Sequence, residues 1–311
     1  MKTSSQPAPR SLQMSHGVLA FPLTAFDAGG AVDLTAFRDH VSHLLSYRPG
    51  ALFVACGTGE FASLGLREYR SLVAAAVDVA AGAVRVIAGA GISVALGREQ
   101  SRAAADAGAD GLLLLPPYLA TGPQSGLEAY VRSIAEASNL SLIAYQRGVA
   151  RYEPETVARL RSLPQFIGLK DGLGDLEHMN CIRLAAGDDL LYFNGLPTAE
   201  LQASAYRAIG TPLYSSAVFA MAPEISTAFF RAWSRGDSGA SDALLREFYA
   251  PFAQLRDRVP GYPVALIKAG AAMLGAAVGP VRAPLAGPTP EDSDALRLLL
   301  DRGLELARGT Q

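Results

Sequence analysis

The 311-residue chain predicts an α/β fold: a (β/α)8 barrel with a C-terminal helical extension. Three observations predict it. Eight short apolar runs punctuate the first two-thirds of the sequence, most are followed by a stretch with helical spacing, and the strand signal stops near Pro223. A doubly wound open sheet is the structural rival. It would more often carry a glycine-rich phosphate turn after its first strand, and Pro22-Leu23-Thr24 is not one.

In order, the runs are 17–21, 51–56, 84–88, 111–115, 142–145, 166–170, 190–193 and 212–214. Each is too short and too apolar for a surface helix and reads as a buried strand. The stretch 33–47 carries Leu34, Phe37, Val41, Leu44 and Leu45, and 67–81 carries Tyr69, Leu72, Val73, Ala76 and Val77. Steps of three and four put each set on one helical face. Stretches 155–163, 175–186 and 198–209 behave similarly, and 225–234, 242–259, 262–274 and 291–307 read as the helices of the extension. The organisation is then a loose polar tail (1–15), a barrel carrying the active site (16–222) and a helical region (223–311).

Composition narrows the function. Half of the residues are hydrophobic and 18% are charged, which suits a large globular core. The formal net charge of −2 gives no general attraction to nucleic acid or to an anionic membrane, so the expected partner is a small molecule. The tail lacks the apolar stretch of a signal peptide, and no run of 18 apolar residues occurs. Two cysteines, Cys56 and Cys181, imply no disulfide framework and fit a reducing cytoplasm.

In a barrel the chemistry sits at the carboxyl ends of the strands. Those ends here are Gly57-Thr58-Gly59-Glu60, Tyr145-Gln146-Arg147, Lys170-Asp171, Asn194-Gly195 and Ser215-Ser216. Lys170 closes the apolar run of the sixth strand. A desolvated lysine has a lowered pKa, and its neutral amine can attack a ketone to form a Schiff base. The alternative is a lysine that snorkels to solvent. Tyr145 is either a phenol that shuttles protons or a barrel-packing side chain. The Gly57-Thr58-Gly59 turn can offer backbone N–H groups to a carboxylate, or be an ordinary strand-to-helix turn. Arg147 is the candidate for a second carboxylate, with a surface arginine as the alternative. Gly195, Ser215 and Ser216 complete the substrate-binding candidates. His16, His40, His43 and His178 show no zinc spacing, so no metal is expected.

Cys56-Gly57-Thr58-Gly59-Glu60 with Ser63-Leu64, then Tyr145, then Gly168-Leu169-Lys170-Asp171, resembles the dihydrodipicolinate synthase and N-acetylneuraminate lyase superfamily. Within it, the chain is most similar to the 5-dehydro-4-deoxyglucarate dehydratase branch. That likeness rests on Lys170-Asp171-Gly172-Leu173-Gly174-Asp175, Gly195-Leu196-Pro197-Thr198-Ala199-Glu200, Tyr214-Ser215-Ser216-Ala217-Val218-Phe219 and Lys268-Ala269-Gly270. The resemblance implies a class I lysine enzyme with Lys170 as the imine-forming amine and Tyr145 as the proton shuttle. It also implies a keto sugar diacid substrate, no cofactor, and a homotetramer built from dimers. Gly57 stands where the synthase has the first of two threonines, and Tyr118 is followed by Leu119 where the synthase pairs two tyrosines. Both departures fit the dehydratase branch. Gln146 and Ala220 stand where asparagines are expected. Two other readings stay open: a 2-keto-3-deoxy sugar acid aldolase using the same lysine, and a catalytically silent barrel that binds a sugar acid.

Overall fold

A computed structural model of the chain describes Met14 and residues 17–309. Eight parallel strands close into a barrel in sequence order. They are β1 (Leu19–Ala20), β2 (Ala51–Val54), β3 (Arg85–Ile92), β4 (Gly111–Pro117), β5 (Ser141–Gln146), β6 (Phe166–Asp171), β7 (Leu191–Asn194) and β8 (Leu213–Ser216). All eight coincide with the apolar runs. Closure is made by β1 on β8, with Leu19 opposite Ser215 and Ala20 opposite Ser216. The expected tail lies outside the described residues except for Met14, which is buried inside the barrel with Leu19, Phe53 and Phe193.

Helices α1 (Leu34–Ser46), α2 (Leu66–Ala80), α3 (Val94–Asp106), α4 (Gln124–Ala135), α5 (Pro154–Leu160), α6 (Leu176–Ala186), α7 (Ala203–Ala208) and α8 (Pro223–Arg235) follow the strands in turn. Caps fix several starts. Asp33 and Asp175 accept the backbone N–H of Ala36 and His178, which satisfies donors that a helix cannot pair internally. Helical spacing leaves α3 and α4 unassigned. The inner face of α3 buries Gly97, Gln100 and Ser101 as well as alanines, so its apolar stripe is faint. Helix α4 does carry a regular stripe, Leu127, Tyr130, Val131 and Ile134, and belongs with the legible helices.

The extension contains α9 (Ser238–Leu244), a π turn (Leu245–Tyr249), α10 (Ala250–Arg256), α11 (Tyr262–Met273) and α12 (Pro290–Gly309). The π turn ends just before Pro251. Proline has no N–H to give to a carbonyl one turn back, and widening the preceding turn accommodates that defect. Helix α8 completes the strand–helix alternation and also packs on α9 and α12, so the extension is continuous with the outer layer. Among the described residues no helix is long and apolar enough to cross a membrane.

Candidate active site

The barrel interior is a stack of apolar side chains that ends, toward the carboxyl face, in an aromatic floor. Phe21 stacks on Phe53 at 4.7 Å between centroids, and Phe53 tilts against Phe193. Lys170 stands on this floor. Its register partners are Tyr145 on β5 and Phe193 on β7, so strand pairing alone brings the amine beside the phenol ring. Nζ lies 4.1 Å from the Phe21 centroid and 4.4 Å from the Tyr145 centroid. Lys170 is 6% exposed, so it does not snorkel.

Burial lowers the Lys170 pKa from 10.5 to about 7. Three influences compete. Desolvation is the largest and disfavours the ammonium. A Cys56 thiolate would oppose it, but burial pushes that thiol up to about 12, so at neutral pH it is uncharged and no counter-ion. Arg147 adds repulsion in the same direction as desolvation. The neighbouring ring faces favour a cation, yet by only about 0.5–2 kcal/mol, which is too little to reverse burial of a charge. The outcome is an amine that is substantially neutral at neutral pH.

Tyr145 is pinned at its hydroxyl, which donates to the Gly195 carbonyl at 3.2 Å and accepts from Arg147 Nη1 at 3.0 Å. Burial raises its pKa and Arg147 opposes that rise. The phenol is therefore neutral, with a cation placed to stabilise it when it gives up its proton. Two glycines make this packing feasible. A Cβ on Gly195 would lie 2.2 Å from Lys170 Cε, and one on Gly172 would lie 2.7 Å from the Tyr145 ring. Gly172 thus does more than form the turn that Asp-Gly suggests.

A cavity of about 330 Å³ opens above this pair. Gly57, Thr58, Tyr145, Arg147, Lys170, Gly195 and Ser215 all line it, so seven of the nine sequence candidates converge. That volume lies at the lower end of the range of small-molecule sites. The Gly57–Glu60 turn is closed by Glu60 N–H donating to the Gly57 carbonyl at 3.1 Å, between left-handed Ala55 (φ 49°) and Glu60 (φ 56°). Among the described residues the backbone N–H groups of Gly57 and Thr58 have no protein acceptor. Strained backbone with unused donors at a cavity wall is a ready anion cradle. Arg147 sits in a tight turn in which its N–H and carbonyl both pair with Ala150. Its side chain has no carboxylate partner among the described residues, and its cation is available at the mouth.

Gly59 and Ser216 do not line the cavity. Gly59 is packed under the first loop, its carbonyl accepting from Thr24 Oγ1 at 2.7 Å. Ser216 points outward, donating to Glu200 Oε1 at 2.5 Å and lying 2.8 Å from Ser226 Oγ. Strand alternation explains the difference from Ser215: adjacent residues on a strand face opposite sides. Among the described residues no group of three His, Cys, Asp or Glu side chains is arranged to hold a metal. His16 lies outside the described residues, and His40 Nε2 accepts the Leu23 N–H.

Strand-end residues to which the sequence assigned no role, and residues outside the strand ends, stand behind these. Asp171 is fully buried and accepts from Gln146 Nε2 at 2.8 Å, from the Leu173 N–H at 3.0 Å and from the Tyr206 hydroxyl. Gln146, the departure from asparagine, is thus spent on the Asp171 clamp beside Lys170. Pro263 and Val264 of α11 form part of the cavity wall, so the extension completes the site. No strand-end rule points to them.

The chain belongs to the dihydrodipicolinate synthetase family, whose model matches residues 14–302. A Streptomyces coelicolor protein named "Probable 5-dehydro-4-deoxyglucarate dehydratase 2" is 54% identical over 94% of this chain and 91% of its own length. A Paracidovorax citrulli protein named "Probable 5-dehydro-4-deoxyglucarate dehydratase" is 43% identical over 96% of this chain and 98% of its own. The crystal structure of dihydrodipicolinate synthase from Bacillus clausii superposes with a TM-score of 0.84 at 24% identity, covering 92% of this chain and 96% of that one, a likeness of fold.

Proposed function

We propose that the protein is a decarboxylating dehydratase that converts 5-dehydro-4-deoxy-D-glucarate to 2,5-dioxopentanoate, water and carbon dioxide through a Lys170 Schiff base. The observation that carries the reading is the buried Lys170 amine against Tyr145, beneath a cavity with separate donors for two carboxylates. The names of relatives at 43–54% identity support the same substrate.

The amine attacks the C5 ketone, and loss of water gives an iminium. The Gly57-Thr58 turn holds the adjacent carboxylate, and Arg147 the distal one. The iminium withdraws electrons, so a C4 proton becomes acidic and the C3 hydroxyl departs, leaving an alkene conjugated with the iminium. Tyr145, supported by Arg147, moves protons at this centre. Electrons released as C1 leaves as carbon dioxide flow through the same conjugated system to nitrogen. Protons then return to C4 and C3, which turns the C2 enol into the aldehyde and restores the iminium, and its hydrolysis frees Lys170 and the product. Ser215 faces the cavity and serves the departing hydroxyl or the distal end of the substrate.

A product assay tests the reaction class. Carbon dioxide released one-for-one with 2,5-dioxopentanoate is the expected result. Pyruvate with no carbon dioxide would make the protein an aldolase. On the same reading the enzyme is cytoplasmic and assembles as a homotetramer, a dimer of dimers; sedimentation of the purified protein tests the assembly.

A further inference from the structure

Glu60 and Lys268 form an ion pair at 2.7 Å with side chains 1% and 2% exposed. They are 208 positions apart in sequence, and neither contributes an atom to the reacting centre. We propose that this pair is a positioning device: it locks the Gly57-Thr58 turn to the α11 wall of the cavity, and so sets how tightly the keto-acid carboxylate is held. The proposal rests on the reading of that turn as the carboxylate site.

Three observations carry it. First, Glu60 is the closing residue of the turn, through its N–H to the Gly57 carbonyl, so fixing its side chain fixes the turn. Second, Lys268 lies four residues beyond Val264 on α11, hence on the same helical face as the side chain that walls the cavity. Third, the pair is braced on both sides. Lys268 Nζ also donates to the Pro280 carbonyl at 2.7 Å, and Glu60 Oε2 accepts the Arg282 N–H at 2.9 Å. Arg282 in turn pairs with Glu68 and donates to the carbonyls of Gly30 and Ser63. The Phe26 ring receives both cations, each 4.1 Å from its centroid.

Stability alone is a poor reason for this arrangement. Removing two charges from water offsets most of their attraction, and apolar residues of the same volume often stabilise more. What the pair does supply is a fixed distance between two segments, far apart in sequence, that both wall the cavity.

The test uses borohydride trapping of pyruvate on Lys170, read by mass spectrometry as the pyruvate concentration that gives half-maximal adduct. Lys268→Met is expected to raise that concentration roughly tenfold to hundredfold, with the saturated trapping rate nearly unchanged. Glu60→Gln keeps the shape but only one of the two accepted hydrogen bonds, because an amide nitrogen cannot accept, and it is expected to do the same more mildly. It carries the test if Lys268→Met does not fold. The double variant, which leaves no uncompensated charge, is expected to bind more tightly than Lys268→Met alone. An unchanged half-saturating concentration in a folded Glu60→Gln or Lys268→Met protein would overturn the proposal, as would a fall in the saturated rate alone. Thr58→Val, run in parallel, separates the two readings. If it weakens pyruvate binding and the pair variants do not, only the positioning role fails. If it leaves binding unchanged, the Thr58 hydroxyl takes no part in holding the carboxylate, and the pair variants alone decide the positioning role.

Discussion

The Schiff-base reading depends on how far burial moves one amine. With the Lys170 pKa lowered to about 7, the neutral fraction grows as pH rises through 7 and saturates above it. The rate of imine formation should therefore climb roughly tenfold per pH unit below 7 and level off above. A pH profile of pyruvate trapping that kept rising toward pH 10 would show that Lys170 is solvated. Tyr145→Phe removes only the hydroxyl and should lower kcat by about 10²–10⁴-fold while leaving thermal stability nearly intact. The nearness of the two residues was legible in sequence, because a lysine and a tyrosine that close neighbouring apolar runs share the carboxyl face of the barrel, while their exact register, Tyr145 opposite Lys170, was not. Ser216 was not separable from Ser215 until strand alternation placed one inward and one toward Glu200.

Among the elements, β6 and β7 act together. The carboxyl end of β7 is hollowed by Gly195 so that Lys170 can rise through it, and the Gly195 N–H holds the Asp171 carbonyl at 2.6 Å. Gly195→Ala should displace the lysine by about an ångström and lower kcat/KM by about a hundredfold, because misplacement on that scale costs as much. Activity within a few-fold of the parent would mean that the strand ends yield and that the crowding is unimportant. The strands were the readable part of the chain, since a strand buried on both faces is a bare apolar run. Helix α3 was hidden because it faces the barrel with glycine, glutamine and serine. The α11 wall was hidden for another reason: Pro263 and Val264 reach the cavity by the packing of the extension, and no local pattern encodes that.

The molecule as a whole joins its barrel to its extension through buried polar contacts. One is the Glu60–Lys268–Arg282 cluster beside the carboxylate turn. Another runs through Glu200, whose Oε1 accepts from Ser216, which in turn lies 2.8 Å from Ser226 Oγ of α8. Burial raises the Glu200 pKa from 4.5 to about 7. The folded state then holds this proton more tightly than the unfolded chain does. Stability from this group is full below pH 4.5 and is lost as pH rises through 7, by on the order of 3 kcal/mol at most. Glu200→Gln should accordingly raise Tm more at pH 8 than at pH 5, and an equal change at both would show that Glu200 is ionised in the fold. The central claim is tested most directly by one measurement on the intact enzyme: mass spectrometry after borohydride reduction in the presence of 5-dehydro-4-deoxyglucarate. The predicted result is a single adduct on Lys170. An adduct on Lys268, or an active enzyme that yields none, would contradict it.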